Sequence, residues 1–146
     1  MSSVQEILVG KNSQVHTICE SEKVIDAVMK MNRFRIGSLA VNQVDGSFGG
    51  IITERDILQW VGSSPDDLGR TGVQEIMTHK VIVCTPSTSL NEVRSIMKNH
   101  RIRHLPVVDD DGQLVGIISI GDINAYLIDE DEVTIQYLHD YIYGRV

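Results

Sequence analysis

The chain contains the same segment twice, and this internal repeat constrains its fold more than any other feature. Residues 15–61 and 81–127 align without a gap at a spacing of 66 residues, so that GGIITERDI at Gly49–Ile57 falls on VGIISIGDI at Val115–Ile123. Two copies of one small unit usually share a core and form paired, quasi-equivalent surfaces. The repeat therefore predicts one module with two similar halves, and the positions at which the copies differ become candidates for specialised chemistry.

Length and composition exclude several classes of protein. A chain of 146 residues fits one compact domain with a sizeable core. Its net charge of −7 disfavours sequence-independent binding to nucleic acid, which needs basic patches. No stretch approaches the roughly 18 apolar residues of a membrane span, and the N-terminus lacks the basic and apolar regions of a signal peptide. We therefore expect a cytoplasmic protein that binds neither nucleic acid nor membranes.

The residues that commonly carry catalysis or bind metals show no such pattern here. Cys19 and Cys84 lie in apolar, strand-like runs and outside any CxxC or zinc-type spacing. This placement favours buried free thiols in a reducing compartment, with a redox pair as the alternative. The five histidines have no metal-ligand spacing, and no motif supplies a nucleophile with its base. The sequence therefore predicts neither a metal site nor an enzyme.

Each copy reads as strand, helix, strand, strand and helix. The runs VHTI and VIVC predict the first strand of each copy, and an Asp-Gly turn joins the two later strands. We expect repeat one at 1–62, a linker rich in Gly, Ser, Asp and Pro at 63–72, and repeat two at 73–146.

The final helix is expected to extend beyond the repeat. Asp129–Glu132 is an acidic run that indicates either a solvated helix face or a helix break. Beyond it Ile135, Leu138 and Ile142 recur at helical spacing. These apolar residues predict a face that either caps the core or meets another subunit.

The motif Gly-h-h-Thr/Ser-x-x-Asp, in which h is apolar, occurs once in each copy, at Gly50–Asp56 and Gly116–Asp122. A hydroxyl three residues before an acid is a helix-capping signature, which is the structural interpretation. The functional interpretation is a nucleoside phosphate site. A helix N-terminus attracts phosphate, and an Asp one turn further on can accept hydrogen bonds from both ribose hydroxyls.

The copies diverge beside this motif. The second copy has Arg103-His104 where the first has Gly37-Ser38. Arginine suits bidentate phosphate contacts, and histidine titrates near neutral pH. The alternative is that Arg103 and His104 are exposed strand residues on a solvated face.

Taken together, these residues resemble the CBS domain, named after cystathionine β-synthase. The resemblance rests first on three motifs in order: hRHLPVVD, the Asp-Gly turn and hVGIIS/Txx-Asp. TERDIL in copy one and the duplication itself support it. The resemblance covers about residues 4–128. It implies an α/β (α+β) fold in which tandem βαββα repeats pack into one pseudo-twofold module. It also implies two clefts for AMP, ADP or ATP, or in some members NAD or S-adenosylmethionine, and a homodimer.

The resemblance also assigns expected contacts. Asp122 would hold the ribose, and Ser119 would contact the phosphate or the ribose. Arg103 and His104 would face the phosphates. The strand end at Val83–Thr85 would border the adenine. The expected second cleft comprises Val83, Thr85, Ile102, Arg103, His104, Pro106, Ser119 and Asp122, and the expected weaker first cleft comprises Ser38, Thr53, Arg55 and Asp56.

These expectations define two hypotheses about function. The first is a regulatory module that senses an adenine nucleotide, requires no cofactor and modulates an unidentified partner protein. The second is a ligand-independent dimerisation or protein-interaction module.

Overall fold

The structure is a computed structural model that describes residues 2–11, 15–63 and 69–144, so residues 64–68 of the expected linker lie outside the described ranges. Copy one contains α1 (Val4–Lys11), β1 (Thr17–Cys19), α2 (Val24–Phe34), β2 (Ser38–Asn42), β3 (Phe48–Thr53) and α3 (Glu54–Ser63). Copy two contains α4 (Val73–Ile76), α5 (Leu90–His100), β4 (His104–Val108), β5 (Leu114–Ser119) and α6 (Ile120–Ile142). The mixed α/β fold expected from the repeat is confirmed.

The two copies differ in their sheets. Strand β2 pairs in parallel with β1 and antiparallel with β3, whereas β4 and β5 form an antiparallel pair. The strand expected at VIVC is reduced to one parallel bridge between Cys84 and Val107. Cys84 N–H donates to the carbonyl of Pro106 at 3.0 Å. The strand ends there because the next backbone N–H, that of Thr85, donates to Thr88 Oγ1 at 3.0 Å and starts a turn.

The buried apolar residues form two clusters instead of the shared core expected from the repeat. Val4 and Ile7 of α1 belong to the cluster of copy two, where they join Leu90 and Leu105. The backbone supports this placement, because Val4 N–H donates to the carbonyl of Thr88 at 3.0 Å. The first helix of the chain therefore completes the core of the second copy.

The second VQEI segment makes the reciprocal exchange. Val73 and Met77 belong to the cluster of copy one, and Val73 N–H donates to the carbonyl of Glu22 at 2.8 Å. Each leading segment thus packs on the other copy, which interlocks the halves. The boundaries 1–62, 63–72 and 73–146 stay a prediction about the sequence units.

The last helix is continuous over 23 residues. Asp129–Glu132 are exposed within it, so the acidic run is a solvated helix face and not a break. Ile135, Leu138 and Ile142 are 65%, 51% and 73% exposed, so they do not cap the core of their own chain. Contact with another subunit stays a prediction. No helix in the described ranges has the length and apolarity needed to span a bilayer.

Two glycines allow the exchanged segments to approach the sheets. Gly50 has φ 157°, and a Cβ there would lie 2.3 Å from the carbonyl oxygen of Thr78. A Cβ at Gly116 would lie 2.6 Å from Leu8 Cδ2. The motif glycines therefore serve a close approach of α1 and the α4 segment, at the strands that lead into the candidate site.

Candidate functional site

Both copies of the motif form the predicted capping box. Thr53 N–H donates to Asp56 Oδ2 at 2.9 Å, and Asp56 N–H donates to Thr53 Oγ1 at 3.2 Å. Ser119 and Asp122 repeat this exchange at 2.9 and 3.0 Å. The structural interpretation of the motif is therefore satisfied in both copies. Any further role depends on what surrounds the two carboxylates.

Asp56 opens into a cavity of about 680 Å³, which we name the Asp56 cleft. Its walls come from both copies, because the start of α3 meets the chain that precedes Cys84 and the turn that enters β4. The lining residues are Ile51, Thr53, Glu54, Arg55, Asp56, Leu58, Thr78, Lys80, Val81, Ile82, His100, Arg101, Ile102, Arg103 and His104. The cleft combines an apolar wall with several cationic side chains, as small-ligand sites commonly do.

Asp122 opens into a second cavity of about 480 Å³, which we name the Asp122 cleft. Here the start of α6 meets the turn that enters β2, together with the end of α1. The lining residues are Leu8, Lys11, Val15, His16, Phe34, Arg35, Ile36, Gly37, Ser38, His104, Val115, Gly116, Ile117, Ser119 and Asp122. The two clefts are thus related by the pseudo-twofold axis but have different walls.

The structure places some of the expected site residues in the cleft of the other copy. Arg103 lines the Asp56 cleft, whereas the sequence analysis placed it with Asp122. Ser38, which was placed with Asp56, lines the Asp122 cleft. His104 reaches both clefts. The physical reason is that the residues leading into β2 and β4 lie against each other, since a Cβ at Gly37 would lie 3.3 Å from His104 Cε1.

The other expected site residues divide into two groups. Arg55 lines the Asp56 cleft, in which it was expected, whereas Ile102 lines this cleft and not the Asp122 cleft in which it was expected. Val83, Thr85 and Pro106 line neither cleft. Pro106 is fully buried within β4, and Thr85 belongs to the turn before α5. Ile82, which was not among the expected site residues, lines the Asp56 cleft.

Two lysines that belong to no recognised motif also line the clefts. Lys11 lies in the Asp122 cleft and Lys80 in the Asp56 cleft. Their signal was present in the repeat, because each lysine follows a VQEI segment at the same distance and the two are 69 residues apart. Local patterns did not reveal them, since each lies at the end of a segment that is exchanged between the copies.

Lys11 is paired with the Asp122 carboxylate. Its Nζ donates to Asp122 Oδ2 at 2.8 Å and to the carbonyl of Ile117 at 2.8 Å. Burial acts to raise the pKa of Asp122, but the hydrogen bonds from Lys11 and Ser119 outweigh it and hold this pKa below its ordinary value. In the other cleft, Asp56 Oδ1 instead accepts a hydrogen bond from Thr78 Oγ1 at 3.4 Å.

His104 lies between the clefts and opposite Ser119 in the β4–β5 register. Burial lowers its pKa below the ordinary histidine value; the carboxylates of Glu54 and Asp122 oppose this shift, and Lys11 and Arg103 add to it. The imidazole is therefore neutral at pH 7. An incoming anion would favour its protonated form, which gives the site a group able to take up a proton.

These features define a class: a tandem pair of βαββα units with a capped Asp motif at each of two inter-copy clefts. The family model of the CBS domain matches residues 4–63 and 73–129. The chain therefore belongs to the CBS domain family and carries two copies of the domain. Within the described ranges no group of three or more His, Cys, Asp and Glu side chains is arranged to hold a metal ion.

Known proteins resemble the chain over most of its length. The CBS-domain containing protein ATU1752 from Agrobacterium tumefaciens is 31% identical, with a TM-score of 0.80 over 85% of this chain and 92% of that one. The CBS domain pair of protein MJ0100, in complex with 5′-methylthioadenosine and S-adenosyl-L-methionine, is 26% identical, with a TM-score of 0.76 over 89% of this chain and 98% of that one.

A curated relative is longer than this chain. The mitochondrial CBS domain-containing protein CBSX3 from Arabidopsis thaliana is 36% identical over an alignment of 127 positions, and the match covers 84% of this chain and 61% of the relative.

Proposed function

We propose that this CBS pair is a regulatory module that binds an adenine nucleotide in the Asp56 cleft and modulates a partner protein. The observation that carries the proposal is the composition of that cleft. A helix-capping carboxylate, a helix N-terminus, Arg103 and His104 converge there on one cavity with an apolar wall. This set matches the three parts of a nucleotide: ribose hydroxyls, phosphate and base.

Each part of the nucleotide has a partner in this proposal. Asp56 Oδ1 lies outside the capping box and accepts a hydrogen bond from Thr78 Oγ1 at 3.4 Å; in the proposal the ribose hydroxyls replace that donor. The start of α3 lies beside the phosphate, where the helix dipole favours negative charge. Its Glu54 and Asp56 N–H groups already donate to the carbonyl of Gly37 at 3.0 Å and to Thr53 Oγ1 at 3.2 Å, so the attraction comes from the dipole and not from these two donors. Arg103 and His104 bind the phosphate from the facing copy, and Ile82 packs against the base.

The ligand class draws support from a relative. The complex of protein MJ0100 holds two molecules that contain adenosine, and the adenosine moiety is common to AMP, ADP and ATP. NAD and S-adenosylmethionine are the alternative ligands with the same moiety. No cofactor is needed for binding, and we propose a regulatory role and not an enzymatic one.

The Asp122 cleft is the weaker site in this proposal, which reverses the order that the sequence analysis expected. Its carboxylate is already paired with Lys11. Arg103 lines the other cleft, and the residues at the start of β2 that line the Asp122 cleft are the uncharged Gly37 and Ser38. A ribose would have to compete with the lysine, so binding there is expected to cost part of that ion pair.

The second candidate is an interaction module. It is favoured by the exposed apolar side chains of α6, among them Val133, Ile135 and Ile142, which are 65% to 73% exposed. A homodimer or a partner protein would cover such a helix. In this candidate, binding of the partner is independent of nucleotide. The cytoplasmic location expected from the sequence remains a prediction beside both candidates.

Calorimetric titration of the full chain with AMP, ADP and ATP tests the proposal. Asp56→Asn keeps an oxygen for the capping box but removes the charge, and it should weaken binding by about tenfold, the size expected for a lost charged hydrogen bond. The matched variant Asp122→Asn should change affinity by less than about twofold. Absence of heat and of a thermal shift at millimolar nucleotide would overturn nucleotide binding. A reversed order of the two variants would overturn the choice of cleft.

The two candidate functions are separated by a pull-down of a tagged chain with and without AMP. Recovery of a partner that depends on AMP supports the regulatory module. Recovery that is equal in both conditions, and unchanged by Asp56→Asn, supports the interaction module.

A further inference from the structure

A groove of about 770 Å³ continues the Asp56 cleft and has a strongly basic lining. Five cationic side chains face it, from α3, from α5 and from the turn that enters β4: Arg55, Arg94, Lys98, Arg101 and Arg103. The other lining residues are neutral, so no carboxylate among the described residues lines this groove. We name it the basic groove. It stands out because the whole chain carries a net charge of −7.

Folding does not account for this concentration of charge. Arg94 and Lys98 are four residues apart on α5, where like charges one turn apart oppose helix formation. Lys98 lies in the last turn of α5 and gains from the helix dipole, but Arg94 lies earlier in the helix and Arg55 comes from the other copy. Within the described ranges none of the five side chains forms an ion pair.

The internal repeat supplies a control. At the spacing of 66 residues, Arg94 corresponds to Val28 and Lys98 to Asn32, and Arg103 corresponds to Gly37. Only Arg101 has a basic counterpart, Arg35. The basic groove is therefore not a product of the fold, since the same fold in copy one has an uncharged surface at the equivalent helix positions.

The basic groove and the Asp56 cleft are continuous. Arg55, Arg101, Ile102 and Arg103 line both. Arg55 Nη1 donates to the carbonyl of Arg101 at 3.0 Å, which joins α3 of copy one to the end of α5 in copy two. One ligand can thus extend from the cleft into the groove along Arg55, Arg101 and Arg103, which line both.

We propose that the basic groove binds the outer phosphates of a nucleoside triphosphate whose nucleoside lies in the Asp56 cleft. This inference rests on the proposed function and deepens it, because it makes the triphosphate the preferred ligand. The guanidinium groups of Arg94 and Arg101 present paired N–H donors that match phosphate oxygens, and Lys98 adds a mobile charge. AMP would fill the cleft but leave the basic groove without a ligand.

The test compares AMP, ATP and inorganic tripolyphosphate by calorimetry at one ionic strength and without magnesium. In the wild-type chain, ATP should bind at least about tenfold more tightly than AMP. The double variant Arg94→Gln/Lys98→Gln should lose this margin while its affinity for AMP changes by less than about twofold. The double variant Lys23→Gln/Arg33→Gln removes the same charge from exposed positions outside the groove and should behave as the wild type.

The outcomes separate the two proposals. If ATP and AMP bind with equal affinity in the wild type, the groove proposal fails and nucleotide binding stands. If neither nucleotide binds, the proposed function fails. In that case tripolyphosphate decides the groove: binding that is lost only in Arg94→Gln/Lys98→Gln supports it as a phosphate site, and absence of binding overturns it. Thermal melts of both double variants establish that each is folded.

Discussion

Lys11 Nζ lies 2.8 Å from Asp122 Oδ2, and this pair ties the first helix of the chain to the last. The side chains are 34% and 24% exposed. The corresponding lysine, Lys80, lines the Asp56 cleft but forms no ion pair with a described residue. Two clefts built from one repeated unit therefore differ in whether their carboxylate is already neutralised.

The first prediction concerns this ion pair. Lys11→Met should raise the pKa of Asp122 and lower the free energy of unfolding at pH 7 by about 1 kcal/mol or less, as for other solvent-accessible pairs. Because the pKa of Asp122 is depressed in the folded state, its stabilisation is present above the unfolded-state pKa and is lost as pH falls through the folded-state pKa. Carboxyl NMR titration and denaturation at two pH values measure both effects.

The control for this variant is Lys80→Met, which removes the equivalent lysine from the other cleft. It should leave the pKa of Asp122 unchanged. An equal shift in both variants would show that long-range charge, and not the contact with Lys11, sets the pKa.

The second prediction contrasts Gly50→Ala with Gly116→Ala. At Gly50, which has φ 157°, the new methyl group would lie 2.3 Å from the backbone carbonyl oxygen of Thr78, so the backbone of one of the two segments must move. At Gly116 it would meet the end of the Leu8 side chain at 2.6 Å, which can rotate away. Urea denaturation should show a loss of about 2–3 kcal/mol for Gly50→Ala and about 1 kcal/mol for Gly116→Ala. Equal losses would contradict this account.

The third prediction concerns His104 and pH. Burial lowers its pKa in the folded state, so its stabilising contribution is present above the unfolded-state pKa and is lost as pH falls through the folded-state value. A bound phosphate should raise the pKa again, so nucleotide binding takes up a proton. Titrations near pH 6.5 in two buffers with different ionisation enthalpies measure this uptake.

The uptake should disappear in His104→Gln. His100→Gln, which alters another histidine of the same cleft, should retain it. Binding heats that do not depend on the buffer in the wild type would contradict a role for His104 at the phosphate.

The fourth prediction concerns the thiols. Burial raises the pKa of Cys84 to about 11, and Glu92 adds to this shift, whereas Cys19 is only partly buried. At pH 8 a thiol reagent should modify Cys19 and leave Cys84 unmodified until the protein unfolds. Because the pKa of Cys84 is raised, its stabilising contribution is complete below about pH 9 and should decline as pH rises toward about 11.

Cys84→Ala should lack this alkaline decline, which denaturation between pH 8 and pH 11 detects. Rapid modification of Cys84 in the folded protein would contradict the burial of its thiol.

Much of the candidate site was predictable because it is local. The capping boxes at Thr53–Asp56 and Ser119–Asp122 join residues three apart, so their spacing alone specifies the hydrogen bonds. The sequence pattern did not predict whether α6 continues through its acidic run, because four consecutive acidic residues are compatible with a solvated helix face and with a helix break. Tyr126 Oη donates to Glu130 Oε1 at 3.1 Å, and this contact across one helical turn supports the continuous helix at the start of the run.

The sequence by itself determined the order of helices and strands in both copies apart from the VIVC strand, together with the Asp-Gly turns and both capped motifs, because these depend on hydrophobic periodicity and on contacts between near neighbours. Only the tertiary structure decided that α1 completes the core of copy two, that Lys11 binds Asp122, and that Arg103 faces Asp56. Those pairings depend on how two similar halves dock across the pseudo-twofold axis. A repeated sequence does not specify this docking, because a segment can pack on its own copy or on the other copy and satisfy the same local sequence patterns in both cases.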